Sequence, residues 1–156
     1  MKDTVRLFLR SVGLLFVIAA GTACVPKLTA PDPLQQGKSV AKPVTDYASL
    51  IDNLRRAGVS VEPQGEVEQP FFSTKGKIIK VGGEDVQVFE YSQAAIADAQ
   101  AAVISPDGSG VGTSKINWIG PPHFYKKAKL IVLYIGKDGK VLKALDAVLG
   151  PQFAGK

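Results

Sequence analysis

Lys77-Ile78-Ile79-Lys80-Val81-Gly82-Gly83-Glu84-Asp85-Val86-Gln87-Val88-Phe89-Glu90-Tyr91 is the stretch that decides how this chain folds. Two runs rich in β-branched and aromatic residues, Lys77 to Val81 and Asp85 to Tyr91, flank Gly82-Gly83-Glu84. Paired glycines supply the positive φ angles that a tight hairpin turn requires. The stretch therefore predicts two antiparallel strands. A second run, Lys129 to Ile135, contains the near-continuous Leu130-Ile131-Val132-Leu133. A strand of that composition predicts a central position covered on both faces.

Working outward, Thr45 or Asp46 caps a helix whose apolar positions are Tyr47, Leu50, Ile51, Leu54 and Ala57. That spacing places them on one stripe, and Gly58 stands where a helix ends in the left-handed conformation. Val59 and Val61 predict a short strand stopped by Pro63, and Phe71 and Phe72 after Pro70 predict an edge strand or buried loop. A helix capped by Ser92, with Ala95, Ile96, Ala99 and Val103 on its packed face, stops at Ser105-Pro106. A Gly-rich loop over 107–114 leads to a strand from Lys115 to Ile119, and Gly120-Pro121-Pro122 forces a turn or irregular extension. A last helix starts near Asp138, carries Val141, Leu142, Leu145, Val148 and Leu149, and ends at Gly150-Pro151. The order α-β-β-β-α-β-β-α with hairpin links implies an α+β domain, a single antiparallel sheet with helices packed on one face.

The N-terminus reads as an export signal. Lys2, Arg6 and Arg10 precede an uncharged run from Val12 to Ala23, and Cys24, the single cysteine, follows Gly21-Thr22-Ala23. A spanning helix needs about 20 apolar residues, so this run is too short to cross a bilayer and fits a signal-peptide core. The arrangement resembles the lipobox of bacterial lipoproteins, which implies a signal peptide over 1–23 and an acylated Cys24 as the first mature residue. Gly21 stands where the lipobox usually has Leu, and Gly21-Thr22-Ala23 also satisfies the ordinary small-x-small cleavage rule, which would leave Cys24 as a free thiol. Acyl burial contributes about 0.8 kcal/mol per CH₂, so two chains hold a protein on a membrane nearly permanently. Residues 24–44 carry Pro26, Pro31, Pro33 and Pro43 without apolar periodicity and read as a disordered tether, roughly 25 Å end to end as a coil. The folded domain is expected over 45–156.

Removing residues 1–23 deletes three cations and Asp3, which lowers the formal net charge from +5 to +3. A mildly basic mature chain argues against nucleic acid as a partner, since such footprints are dense stripes of Lys and Arg. A single cysteine rules out an internal disulfide.

Four features invite a chemical reading. Gly108-Ser109-Gly110-Val111-Gly112-Thr113-Ser114-Lys115 looks like a phosphate loop, but its lysine follows the hydroxyl residues and the loop runs from a helix into a strand, the reverse of what phosphate binding requires. It reads as a connector. His123, the one histidine, cannot make a metal site with a lone cysteine, and no metal or cofactor is expected. On paper it could join Asp107 with Ser105 or Ser109 in a hydrolase, although no nucleophile elbow surrounds those serines. Phe71, Trp118, His123, Phe124 and Tyr125 form a candidate ligand surface, with core packing as the competing reading. Lys126, Lys127 and Lys129 beside Tyr125 form a cationic patch that could touch anionic lipid or be a solvated hairpin end.

The segments Gly65 to Ser73, Gly83 to Tyr91, Ile104 to Gly108, Pro121 to Tyr125 and Leu130 to Tyr134 are similar to those of a family of small bacterial lipoproteins and secreted proteins with no established activity. The resemblance covers most of 45–154 and implies one domain carried behind an export signal. The resulting expectation is an exported envelope lipoprotein, anchored in the membrane through Cys24, with a non-enzymatic binding or accessory domain. Its partner would be an envelope protein, a peptide or a glycan. The alternative is a small secreted hydrolase using His123 with Asp107 or a nearby serine.

Overall fold

The computed structural model describes residues 42–156, so the signal peptide, Cys24 and nearly all of the expected tether lie outside the described residues. Tyr47–Arg56 forms helix α1, opened by Asp46, whose carboxylate accepts from the Ser49 N–H at 2.8 Å while the Ser49 hydroxyl accepts from the Asp46 N–H at 3.0 Å. This reciprocal cap satisfies two N–H groups that a helix start leaves without partners. Gly58 follows the helix with φ +84°, the left-handed geometry that glycine adopts without strain.

The hairpin forms as the sequence requires. Strand β2, Gly76–Val81, pairs antiparallel with β3, Glu84–Glu90, and Gly82 and Gly83 between them have φ +61° and +96°. Strand β1, Val61–Val67, pairs with β2 and runs through Pro63 instead of stopping there. An edge strand tolerates a proline, and the register shift between Pro63 and Glu66 is a bulge that absorbs the irregularity. Phe71 and Phe72 lie in the loop that follows, Phe72 buried and Phe71 half-buried.

Helix α2, Ala94–Ala102, corrects the sequence reading in two respects. Gln93 is its N-cap position, no side chain caps it, and Ser92 precedes it. Its packed side is Ala97, Ala101 and Ile104, whereas Ile96 and Val103 are exposed at 41% and 47%. Alanine at most positions leaves no apolar contrast from which to read a face.

The expected strand at Lys115 to Ile119 is replaced by a miniature hairpin, β4 (Gly110–Val111) against β5 (Ser114–Lys115). The sheet strand is β6, Pro122–Lys127, which begins at the last residue of Gly120-Pro121-Pro122, expected to be a turn or irregular extension. Pro122 is tolerated because it is the first residue of the strand. Strand β7, Leu130–Ile135, pairs with β3 on one side and β6 on the other. Asp138 caps helix α3, Gly139–Leu149, by accepting from the N–H groups of Lys140 and Val141. A two-residue strand, β8 (Ala154–Gly155), then closes onto β6. The result is an α+β fold, a six-stranded antiparallel sheet in the order β1-β2-β3-β7-β6-β8.

Both faces of the sheet are covered. One core joins Leu50, Leu54, Val141, Leu145 and Leu149 of α1 and α3 to Ile79, Val81, Val86, Val88, Tyr125, Leu130, Val132 and Tyr134. The other joins Phe72, Ala97 and Ile104 to Phe89, Phe124, Ile131 and Leu133. Two helices thus share a face, as the one-face expectation has it, while the short α2 and the Phe71-Phe72 loop cover the opposite one. Val44, assigned to the tether by the sequence reading, is 5% exposed and belongs to the first core. Among the described residues, the two cores draw on positions from 44 to 154.

Gly76 gives a direct test of this packing. A Cβ built there would lie 2.6 Å from the Phe89 ring, whereas one at Gly65 meets nothing within 4 Å. Gly76→Ala is expected to lower unfolding stability by about 1–3 kcal/mol, the usual cost of overpacking. Gly65→Ala should leave the urea midpoint near that of the parent.

Candidate functional site

Residues alternate sides along a strand, so β6 sends its neighbours to opposite faces. Tyr125 joins the α1/α3 core and Phe124 joins the α2 core. His123, two positions before Tyr125, shares its face. The five residues expected to form one ligand surface are therefore divided between two sides of the sheet. The single groove is a correction: the structure brings Phe71, Trp118 and Phe124 together and separates them from His123 and Tyr125.

On the α2 side the aromatics meet edge to face. Phe71 and Trp118 are 5.9 Å apart at 87°, Trp118 and Phe124 are 6.0 Å apart at 67°, and Phe153 extends the run from Phe124 at 6.3 Å. Such edge-on pairs match the positive edge of one ring to the negative face of another. The Trp118 indole N–H donates to the Gly108 carbonyl at 2.7 Å, which fixes the ring. Phe124 is buried, but Phe71 and Trp118 are half-exposed, Phe153 is 38% exposed, and Ile119 next to Trp118 is fully exposed. Ile119 and Phe153 are parts of this surface that sequence reasoning missed, because nothing in the local pattern marks a loop isoleucine as protruding.

On the opposite side His123 is 6% exposed. Its Nδ1 lies 2.6 Å from the Gln152 side-chain oxygen and its Nε2 3.1 Å from the Gly136 carbonyl oxygen, while the ring stacks on Tyr134. Both ring nitrogens thus face the segments that flank α3, and the single N–H of a neutral ring donates to one of these two oxygens. Tyr125 lies beside Asp146, and burial together with a bond to that carboxylate pushes its hydroxyl pKa upward. His123, Tyr125, Leu142, Asp146, Pro151 and Gln152 line an open recess of about 420 Å³.

The catalytic set written on paper is not assembled. Asp107 accepts from the hydroxyls of Ser105 at 2.8 Å and Ser109 at 2.9 Å, and from the Ser109 N–H at 3.1 Å. These bonds build a tight local turn. Gly108 in that turn packs against the Phe124 ring, on the side of β6 opposite His123. Among the described residues no three His, Cys, Asp or Glu side chains are grouped to hold a metal ion, and no helix is long and apolar enough to cross a membrane.

The lysine run is largely neutralised. Lys126 pairs with Asp98, and Lys129 pairs with Glu90 at 2.8 Å, a contact that raises the lysine pKa. Lys127 has no such partner among the described residues. It lines a recess of about 550 Å³ with Lys42, Arg56, the buried Asn53 and the apolar Pro43, Val44, Ala57, Ala147 and Val148.

Compared with known proteins, the chain matches no family model, no curated protein sequence and no solved structure.

The hydrogen bonds from Ser105 and Ser109 hold the Asp107 carboxyl down at about 2, from its ordinary 3.8. A group with a depressed folded pKa stabilises the protein above its unfolded pKa and loses that contribution as pH falls through the folded one. The stability difference between the parent and Asp107→Asn should therefore be full above about pH 4 and shrink toward pH 2, as read from urea midpoints across that window.

Proposed function

We propose that this chain is an envelope lipoprotein, anchored through acylated Cys24, whose domain is a non-enzymatic binding or accessory module for a protein partner. The observation that carries the reading is the surface built from Phe71, Trp118, Ile119 and Phe153. The Trp118 ring is held from behind by the Gly108 carbonyl and Phe124, and the next residue, Ile119, is fully exposed. Pre-ordered aromatic side chains lose little freedom on binding, which is why they anchor protein interfaces. The indole N–H is turned inward to Gly108 and is not free to bond a ligand hydroxyl, which suits a protein surface better than a glycan.

Two observations favour this over the hydrolase. Both His123 ring nitrogens face groups of the surrounding fold, the Gln152 side chain and the Gly136 carbonyl, and Asp107 is committed to its own turn on the other side of the sheet. The lipoprotein family resembled by the segments around Phe71, Val86 and His123 fits the same proposal.

Ile119→Asp changes a side chain that touches little of the fold, so the domain should remain as stable as the parent. In site-specific photo-crosslinking from position 153 in cells, the parent is expected to give a discrete protein adduct, weakened at least tenfold by Ile119→Asp. An adduct pattern indifferent to Ile119 and to Trp118→Ala would refute the surface. The anchor is tested apart from it: Cys24→Ala should move the processed protein from the membrane to the soluble fraction, and retention on membranes would refute acylation as the attachment.

A further inference from the structure

The recess beside Lys127 adds Lys42 and Arg56 to one member of the Lys126-Lys127-Lys129 run read from the sequence. It is formed where four separate parts of the chain meet: Lys42, Pro43 and Val44 ahead of α1, Asn53 to Ala57 at the end of α1, Lys127 at the end of β6, and Ala147 and Val148 on α3. Three cations stand around it, and no carboxylate lines it. Lys42, Arg56 and Lys127 are exposed, and among the described residues none of them makes an ion pair. This contrasts with Lys126 and Lys129 on the same β6–β7 hairpin, which are both neutralised by carboxylates. Besides the cations and the buried Asn53, the lining is apolar, from Pro43, Val44, Ala57, Ala147 and Val148.

We propose that this recess is the surface through which the domain docks on a bilayer rich in anionic phospholipid. Charge complementarity points to the headgroup phosphates, and the apolar lining suits the glycerol and upper acyl region just beneath them. Position points the same way. Lys42 is both a wall of the recess and the residue to which the preceding 41 residues, Cys24 among them, are joined. A tether raises the local concentration of the surface that holds it, and the side from which the tether leaves is the side nearest its attachment. This part of the argument rests on the reading of Cys24 as the membrane anchor. Each cation near an anionic leaflet strengthens attachment by about fivefold, so the three together amount to roughly a hundredfold. The attraction acts within a Debye length, about 8 Å at physiological salt. Docking by this side, on the α1/α3 face of the sheet, leaves the Phe71-Trp118 surface on the opposite face turned away from the membrane and free for a partner.

The test uses residues 25–156, which contain both cores and lack Cys24, so its outcome does not depend on acylation. Co-sedimentation is measured with vesicles of phosphatidylglycerol in phosphatidylcholine and with phosphatidylcholine alone. Binding to the anionic vesicles is expected, with little to the neutral ones and a steep fall as salt rises. Lys42→Gln, Arg56→Gln and Lys127→Gln combined should weaken it by about a hundredfold. The charge-matched control Lys115→Gln, Lys137→Gln and Lys140→Gln should retain most of it, and both triple variants should keep the parent's far-UV circular dichroism. Equal loss in the two variants would reduce the effect to net charge and overturn the recess as the docking surface. Equal binding to neutral vesicles would overturn the electrostatic account. Displacement from vesicles by inorganic phosphate, at matched ionic strength, would make the recess a site for soluble anions and overturn the membrane assignment. Loss of the Cys24 anchor in cells, with vesicle binding intact, would refute the anchor and leave the docking surface standing.

Discussion

The burial of β7 on both its faces is the constraint on which the rest of the structure depends. Leu130, Val132 and Tyr134 point toward α1 and α3, and Ile131 and Leu133 point toward Phe72, Phe89 and Phe124. All five are at most 1% exposed. A fully buried side chain of this kind contributes about 1.5–3 kcal/mol, and truncating one to alanine costs about 2–5 kcal/mol. A domain stable by only about 5–15 kcal/mol cannot leave either side of such a strand open to water. Two helices on one face alone would expose Ile131 and Leu133. Hence α2 and the Phe71-Phe72 loop are needed on the other, although α2 offers little apolar surface beyond Ala97 and Ala101.

The strands beside β7 inherit its two-sidedness, and this shapes what the molecule can do. Because β6 alternates, Phe124 supports Trp118 on one side while His123 and Tyr125 are absorbed under α3 on the other. The aromatic cluster that looks continuous in the sequence becomes a supported projection and a buried polar tie. Helices α1 and α3 bring Arg56 and Val148 to the rim where Lys42 and Lys127 also arrive. The two candidate surfaces thus belong to opposite faces of one sheet, an arrangement suited to a domain that meets a membrane with one side and a partner with the other.

What the sequence made legible were features enforced locally. Gly82-Gly83 demands a turn because few other residues accept two consecutive positive φ angles, and Asp46 and Asp138 announce helices because their carboxylates complete the first turn. The near-continuous apolar run from Leu130 to Ile135 announces a central strand by composition. What stayed hidden depends on context. Pro121-Pro122 reads as punctuation, yet a strand can begin at a proline, so β6 is found only once its pairing with β7 is seen. Pro63 reads as a stop, yet an edge strand with a bulge continues through it. An alanine-rich helix carries no contrast between faces. Strand β8 has two residues, too few for any pattern, and its pairing is possible only because Gly155 carries no side chain where it meets the Pro122 backbone. At the candidate site the residue types of Phe71 and Trp118 were legible, but Ile119 and the cationic recess were not, since the recess collects residues from distant segments.

Native-state hydrogen exchange on the full chain tests the central claim most directly. If both cores depend on β7, the amides of Ile131 to Leu133 should exchange slowest, at the free energy of global unfolding, and those of β3 and β6 that pair with them should follow closely. Amides of β1 and α2 should open at lower free energy. Protection in α1 and α3 that outlasts protection in β7 would contradict the account, because it would show one face standing without the strand that joins the two.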